Sequence, residues 1–235
     1  MSQGPDEAAP VRAGLLRWLP AIAITAAMAI AVTLVIRSNE LLDGERTLTR
    51  WFSDLDVIGI RSLVDVLDFI SRDEIAPVVF VVIFPIAWRT WGRYAALTYI
   101  ATGGITALTR ITDLASRPRP TEDLQWTEAV FGAGGYPSGH VIYAVLVFGI
   151  LAYLAGRYMT PGRPRTALRV LLVMLVVTMG PARVINLDHW AGDVIGSYLL
   201  ALPFLLTAIW LHPRLPGWLS GLPRIRKLIG ADREV

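Results

Sequence analysis

Cysteine is absent from the 235 residues of this chain. The absence excludes disulfide frameworks, thiolate zinc sites, iron–sulfur clusters and cysteine nucleophiles. Charge is also scarce, because Asp, Glu, Lys and Arg make up 17% of the sequence while hydrophobic residues make up 54% and the mean hydropathy is +0.52. Such a composition is more apolar than that of soluble domains of this length. It predicts an integral membrane protein.

Long uncharged runs predict an all-α, polytopic membrane protein with a bundle of six transmembrane helices. A helix needs about 20 apolar residues to cross the hydrocarbon core of a bilayer. The clearest run, 18–36, is too long for the core of a signal peptide and predicts a retained anchor. The alternative, that the shorter runs are core helices of a soluble protein, fits the first and last runs poorly. We place the six spans at about 18–36, 75–92, 94–114, 138–156, 167–183 and 190–211.

Basic residues concentrate on one side of the predicted bundle. Six spans put both termini on one side, which carries thirteen basic and four acidic residues, whereas the other side carries nine basic and fifteen acidic residues. Cytoplasmic loops are enriched in Lys and Arg, so we place both termini in the cytoplasm of a multi-pass protein of the inner (plasma) membrane. The chain is then one membrane domain, 1–235, with a basic cytoplasmic tail at 212–235. This sorting accounts for the pI near 9.5 without a nucleic-acid partner.

The first outer loop, residues 37–74, carries an amphipathic pattern between spans 1 and 2. Apolar residues recur in it at spacings of three and four, opposed by charges, which predicts a helix near the outer interface. The apolar positions are Leu48, Trp51, Phe52, Leu55 and Ile58. We favour a helix whose apolar face packs over the bundle. The other interpretation is a lid that guides a lipid toward a site.

Two arginines, Arg110 and Arg117, lie seven positions apart at the outer end of the third span. On a continuing helix this spacing puts them on one face with a height difference of about 10 Å. Pro118 favours an end of the helix directly after Arg117. A single arginine here is also explained by a cation that extends toward the membrane surface.

A glycine-rich turn, residues 132–140, comes directly before the fourth apolar helix. Glycines let main-chain N–H groups approach an anion, and the N-terminus of the following helix adds free donors and partial positive charge. Within the turn, Ser138 offers a hydroxyl group, Gly139 an open backbone and His140 a proton carrier. A plain connection between two spans is the simpler interpretation of this turn taken alone.

A third group, Arg183, His189 and Asp193, lies at the outer end of the last two spans. His189 and Asp193 are four positions apart, so on one helix the carboxylate accepts a hydrogen bond from one ring nitrogen and leaves the other free to attack. A buried His–Asp pair also occurs as a purely structural element. Two of the three histidines of the chain fall in these groups, and all three groups fall on the predicted outer side. This coincidence favours one shared site.

Together, the segments 110–118, 136–140 and 182–193 resemble the three-part signature of the type 2 phosphatidic acid phosphatase superfamily. That signature is Lys-x6-Arg-Pro, Pro-Ser-Gly-His and Ser-Arg-x5-His-x3-Asp. Arg110 stands where the family has lysine, which keeps a cation but changes its reach and hydrogen-bond geometry. Ala182 stands where the family commonly has serine, which removes a hydroxyl group.

The resemblance implies a role for each signature residue. His189 would be the nucleophile, Asp193 its orienting partner and His140 the acid that protonates the leaving oxygen. The phosphate would be held by Arg110, Arg117, Ser138, Gly139 and Arg183. Three guanidinium groups can stabilise the charge that a metal ion stabilises in other phosphatases. We therefore expect no metal and no cofactor.

The resemblance also implies a membrane lipid phosphatase that forms a phosphohistidine intermediate. A lipid phosphate from the bilayer suits an outer-face site among spans better than a soluble ester does. We favour polyprenyl (undecaprenyl-type) diphosphate, with phosphatidate or phosphatidylglycerophosphate as the other substrate class. Two alternatives stay open: a lipid phosphotransferase that uses the same phosphohistidine, and a six-span anion transporter. The sequence does not determine the oligomeric state.

Overall fold

A computed structural model describes residues 8–38, 41–55, 58–72, 74–110, 114, 117–125, 127 and 135–220. Helices dominate these residues, which confirms the all-α prediction. In chain order the α-helices are α1 (Ala8–Ser38), α2 (Glu45–Ser53), α3 (Ile58–Ser71), α4 (Ile75–Trp91), α5 (Arg93–Arg110), α6 (Gly139–Tyr143), α7 (Gly149–Tyr158), α8 (Arg163–Ile185), α9 (Ala191–Leu211) and α10 (Leu215–Ser220). A π-helical segment, Ala144–Phe148, joins α6 to α7, and a 3₁₀ turn, His212–Arg214, joins α9 to α10.

Four helical segments in the described part of the chain are long and apolar enough to cross a membrane: Trp18–Ser38, Gly139–Tyr158, Arg163–Ile185 and Ala191–Leu219. They coincide with the first, fourth, fifth and sixth predicted spans. α4 covers the second predicted span but has only 17 residues. α5 covers most of the third, and its threonines and glycines make it less apolar than the others. Residues 111–113 of that span lie outside the described residues.

The continuous helix Gly139–Tyr158 forms the centre of the bundle. Every residue from Val141 to Phe148 in it is buried. A helix that is apolar all round is stable when other helices cover all its sides, and α5, α8 and α9 pack around this one. The central helix therefore fixes Ser138 and His140, at its start, at one end of the bundle.

The opposite end of the bundle is held together by His212. Its Nδ1 lies 2.7 Å from the Thr98 hydroxyl oxygen, and its Nε2 lies 2.9 Å from the Tyr158 hydroxyl oxygen. These contacts join the start of α5, the end of α7 and the end of α9. The 20-residue helix Gly139–Tyr158 spans about 30 Å. The two ends of the bundle are thus separated by about the thickness of a bilayer core.

Helix α2 packs on the bundle with its polar side inward. Glu45 and Thr49 are buried, whereas Leu48 and Trp51 are 40% and 59% exposed. The prediction of one helix with its apolar face against the bundle is wrong for Leu48 and Trp51, whereas Phe52 packs against the core. The apolar pattern is divided between α2 and α3, and the polar residues of α2 have partners inside the protein. Burial of a polar group is tolerated when it is hydrogen-bonded. Residues 56 and 57, between the two helices, lie outside the described residues.

Candidate active site

Hydrogen bonds join the three signature segments at one end of the bundle. The Trp190 indole N–H donates to the Pro118 carbonyl over 2.9 Å, and His189 Nδ1 lies 2.8 Å from the carbonyl oxygen of Gly135, which directly precedes the second segment. Gly135 also packs tightly on the first segment, because a Cβ at this position would lie 2.1 Å from the Arg117 carbonyl oxygen. The predicted convergence of the three segments is confirmed.

The contact between His189 and Gly135 determines the tautomer of the imidazole. A carbonyl oxygen only accepts hydrogen bonds, so Nδ1 of His189 carries the proton and donates to it. In a neutral imidazole the lone pair is then on Nε2. His189 is in the form that a nitrogen nucleophile requires.

Burial keeps the imidazole of His189 neutral. It lowers the pKa of His189 from 6.5 to about 3, with further lowering by the charges of Arg119, His140 and Arg183 and an opposing effect of the hydrogen bond to Gly135. A positive charge on a fully buried ring would lose its hydration. The nucleophilic form is therefore present throughout the physiological pH range.

Asp193 lies near His189 but does not accept a hydrogen bond from it. Its Oδ2 is 4.0 Å from His189 Nδ1 and instead accepts the main-chain N–H of Trp190 over 3.0 Å. The expected hydrogen bond assumed that both residues are on one helix. In the structure α9 begins at Ala191, so Asp193 caps the helix start while His189 lies in the preceding turn.

Arg117 binds carboxylates on both sides. Its Nη1 donates to Asp193 in a short hydrogen bond, and its Nη2 donates to Glu45 over 2.8 Å. Burial alone would lower the pKa of Arg117, but the hydrogen bond and charge of Glu45 and the charge of Asp193 raise it above its ordinary value. Sequence reasoning expects the Arg117 guanidinium to face the phosphate. The structure shows it engaged by two carboxylates instead.

Arg183, at the end of α8, has buried donors without a partner. Its Nη1 donates to Asp68 over 2.9 Å and to Asp188 over 3.0 Å. Its Nε and Nη2 are buried and have no hydrogen-bond partner among the described residues. A buried donor without an acceptor costs about 1–3 kcal/mol, and an anion placed beside Arg183 would remove that cost.

Ser138 presents a further unpartnered group at the start of the central helix. Its hydroxyl oxygen is buried and makes no hydrogen bond within the described part of the chain. Its main-chain N–H donates to the Ser197 hydroxyl over 2.7 Å, and that hydroxyl donates to the Asp193 carbonyl over 2.6 Å. Ser138 is thereby fixed to α9. Gly139 and His140 follow as the first residues of the helix, and His140 is half-buried.

Arg119 is a cation of the site that the sequence analysis does not identify. It is exposed, and its positive charge lowers the pKa of His189 and opposes the rise that burial causes in the pKa of Asp188. A signal for Arg119 is present in the sequence, because Arg-Pro occurs twice in residues 117–120. The signature contains one Arg-Pro, and the arginine of either pair can take its place. Arg110 ends α5, and its side chain lies outside the described residues.

Two acidic partners, Glu45 and Asp68, are also missed by sequence reasoning. They lie on α2 and α3, far in sequence from the arginines that they bind, and no spacing rule connects them. Within the described residues, no three histidine or acidic side chains form a group that could hold a metal ion. Three of the charged side chains that act on His189, those of Arg119, His140 and Arg183, are cations or can become cations.

Comparison with known proteins identifies the family. The family model of the PAP2 superfamily matches residues 78–216, more than half of this chain. The chain belongs to the PAP2 superfamily. As a PAP2 enzyme it is a lipid phosphatase, and this membership decides against the anion transporter. The matched residues include all three signature segments.

A solved structure shows that the likeness extends to the fold. It is the crystal structure of the first transmembrane PAP2 type phosphatidylglycerolphosphate phosphatase from Bacillus subtilis, with a TM-score of 0.67 and 15% sequence identity over 83% of this chain and 96% of that chain. The PAP2 chain therefore has a transmembrane PAP2 fold. A search of curated proteins gave no significant match.

Proposed function

We propose that this PAP2 phosphatase hydrolyses a lipid phosphate or diphosphate at the outer membrane face through a phosphohistidine on His189. The observation that carries the proposal is the hydrogen bond from His189 Nδ1 to the Gly135 carbonyl over 2.8 Å. This bond orients a neutral imidazole with its lone pair on Nε2. Asp193, through Arg117 and the Trp190 N–H, holds the turn in which His189 lies.

The phosphate is bound by donors that lack partners in the described residues. They are Nε and Nη2 of Arg183 and the hydroxyl group of Ser138. The main-chain N–H of Gly139 adds a donor at the start of a long helix, where the helix dipole favours an anion. Arg110 and Arg119 add positive charge. Phosphoryl transfer needs mainly positioning and charge stabilisation, which these groups supply without a metal ion.

The reaction proceeds in two displacements. Nε2 of His189 attacks phosphorus, the bond from phosphorus to the lipid-side oxygen breaks, and His140 gives its proton to that oxygen. Water then attacks the phosphohistidine, its proton passes to His140, and the nitrogen–phosphorus bond breaks to release inorganic phosphate. A monophosphate yields the lipid alcohol, and a diphosphate yields the lipid monophosphate. Both histidines return to their starting protonation states.

We propose six crossings, with the site at the extracytoplasmic end and both termini in the cytoplasm. α4 and α5 supply the second and third crossings beside the four longer helices. The arginine-rich connections near Trp91 and Tyr158 lie at the His212 end, about 30 Å from the site. The preference of Lys and Arg for the cytoplasm supports this orientation. A lipid in the outer leaflet then reaches the site from the side.

The substrate class that we favour is polyprenyl diphosphate. Arg119 is exposed and its charge acts on His189 and Asp188, so a second phosphate group has a cation outside the first binding position. Phosphatidate and phosphatidylglycerophosphate use the same chemistry with one phosphate fewer at the reacting end.

The test is hydrolysis by purified protein in detergent with a metal chelator present. Polyprenyl diphosphate, phosphatidylglycerophosphate and phosphatidate are assayed in parallel, with His189→Ala as the control and acid-quenched protein analysed for phosphohistidine. We expect phosphate release that His189→Ala abolishes, fastest from the diphosphate. Unchanged turnover in His189→Ala would reject the nucleophile. Transfer of phosphate to an added alcohol in place of water would identify a phosphotransferase.

A further inference from the structure

Helix α2 contributes a buried carboxylate, Glu45, that belongs to no signature segment. Glu45 is 5% exposed and its carboxylate accepts four hydrogen bonds. Nη2 and Nη1 of Arg117 donate over 2.8 and 3.3 Å, and the main-chain N–H groups of Gly192 and Leu42 donate over 2.8 and 3.0 Å. A buried carboxylate needs such partners, since its charge is otherwise costly in a dry environment.

Glu45 is connected to the turn of His189 through Arg117 and Asp193. Arg117 lies between Glu45 and Asp193, and Asp193 binds the N–H of Trp190, the residue after His189. Gly192 is pressed against the same carboxylate, because a Cβ there would lie 2.4 Å from Glu45 Oε1. If Glu45 lost its charge, the buried guanidinium of Arg117 would keep Asp193 as its remaining acidic partner.

We infer that Glu45 is a positioning residue of this phosphatase. It acts through Arg117 to hold Asp193, and the turn that contains His189, in position. The inference rests on the proposed function. It makes α2 a part of the catalytic assembly and gives Arg117 a structural role within the site, while Arg183 and Ser138 bind the phosphate. A contact that only joined α2 to α9 would need no more than the Gly192 hydrogen bond.

Thr49 provides the matched control on the same helix. It is buried one turn after Glu45, and its hydroxyl oxygen accepts the main-chain N–H of Ala191 over 3.3 Å. Thr49 therefore fastens α2 to α9 in the same way as Glu45 does. None of its hydrogen bonds reaches Arg117. Thr49→Val loosens the helix contact alone.

The experiment measures kcat and KM of Glu45→Gln, Arg117→Gln, the double variant, Glu45→Asp and Thr49→Val on the lipid phosphate that the wild-type protein hydrolyses. We expect Glu45→Gln to lower kcat about 10- to 100-fold with KM within about threefold, by analogy with the loss of a hydrogen-bonded partner that orients a metal ligand. Adding Glu45→Gln to Arg117→Gln should cause no further loss, because the effect passes through Arg117. Glu45→Asp should recover part of kcat, and Thr49→Val should stay within about threefold of wild type. Thermal unfolding of each variant identifies those that are folded. If Glu45→Gln is not folded, kcat of Glu45→Asp is compared with wild type in its place.

Three outcomes would overturn the inference while leaving the phosphatase in place: a wild-type kcat in folded Glu45→Gln, an equal fold loss in the presence and absence of the Arg117 change, or an equal loss in Thr49→Val. A wild-type protein without turnover on any lipid phosphate would refute the proposed function and this inference with it. The wild-type assay thus separates the two failures.

Discussion

Replacement of Arg183 by lysine tests the phosphate-binding geometry most directly. In the structure, Nη1 of Arg183 is already satisfied by Asp68 and Asp188, while Nε and Nη2 are buried and unpartnered among the described residues. A lysine has one nitrogen, which can take the place of Nη1 between the two carboxylates. The Arg183→Lys variant therefore keeps the charge and the ion pairs but loses the two donors that we assign to the phosphate.

The size of the effect follows from the two lost donors. A hydrogen bond to a charged group contributes about 1.5–3 kcal/mol, so two of them contribute about 3–6 kcal/mol to binding the transferring phosphoryl group. A tenfold change corresponds to about 1.4 kcal/mol. We expect Arg183→Lys to lower kcat/KM roughly 10²- to 10⁴-fold, with little change in the unfolding temperature.

The assay is phosphate release from the preferred lipid by wild-type and variant protein at matched detergent concentration. Arg72→Lys is the matched control, because Arg72 also binds Asp68, over 3.4 Å, but its side chain is 57% exposed and belongs to no signature segment. It should behave as wild type. A folded Arg183→Lys protein that retains more than about a tenth of the wild-type kcat/KM would refute the assignment of Nε and Nη2 to the phosphate.

Three further predictions concern His189, Arg119 and Gly135. The folded-state pKa of His189, about 3, lies below the unfolded value of 6.5, so the unfolded state gains a proton first as the pH falls. The free energy of unfolding should therefore drop between those two values, by at most on the order of 5 kcal/mol from this group, and denaturant titrations at several pH values should show a larger drop in wild type than in His189→Asn. Arg119→Gln should lower kcat/KM about tenfold more for the diphosphate than for phosphatidate; equal losses on both would remove Arg119 from the second phosphate. Gly135→Ala places a Cβ 2.1 Å from the Arg117 carbonyl oxygen and should reduce the free energy of unfolding by about 1–3 kcal/mol, whereas Gly104→Ala, with open space at its Cβ, should not; similar unfolding curves for the two would contradict the close packing.

Apolar runs predicted the positions of the main helices well, because a buried or lipid-facing helix needs few polar residues wherever it lies. The run at 18–36 lies within α1 and ends within two residues of its end at Ser38. The signature segments likewise predicted which parts of the chain meet. Both signals are local, so the sequence alone carries them.

The pairing of charges within the site could not be predicted in the same way. The expected His189–Asp193 hydrogen bond failed because the start of α9 at Ala191 depends on the capping of Trp190, which spacing does not reveal. The partners of Arg117 and Arg183 come from α2 and α3, whose positions depend on the tertiary fold. The inward side of α2 was also predicted incorrectly. The prediction assumed that the apolar face packs inward, as it does in a water-soluble protein, but Leu48 and Trp51 are exposed here.

The acceptor that orients His189 is a main-chain carbonyl, and this has a consequence for how mutations at the site are interpreted. Every amino acid carries that oxygen, so no substitution at position 135 deletes it; a larger residue can only displace it. Alanine scanning would therefore find no side chain whose loss changes the tautomer, and comparison of related sequences would show no covarying partner. The proton on Nδ1 is determined by backbone geometry, which genetic screens detect only indirectly.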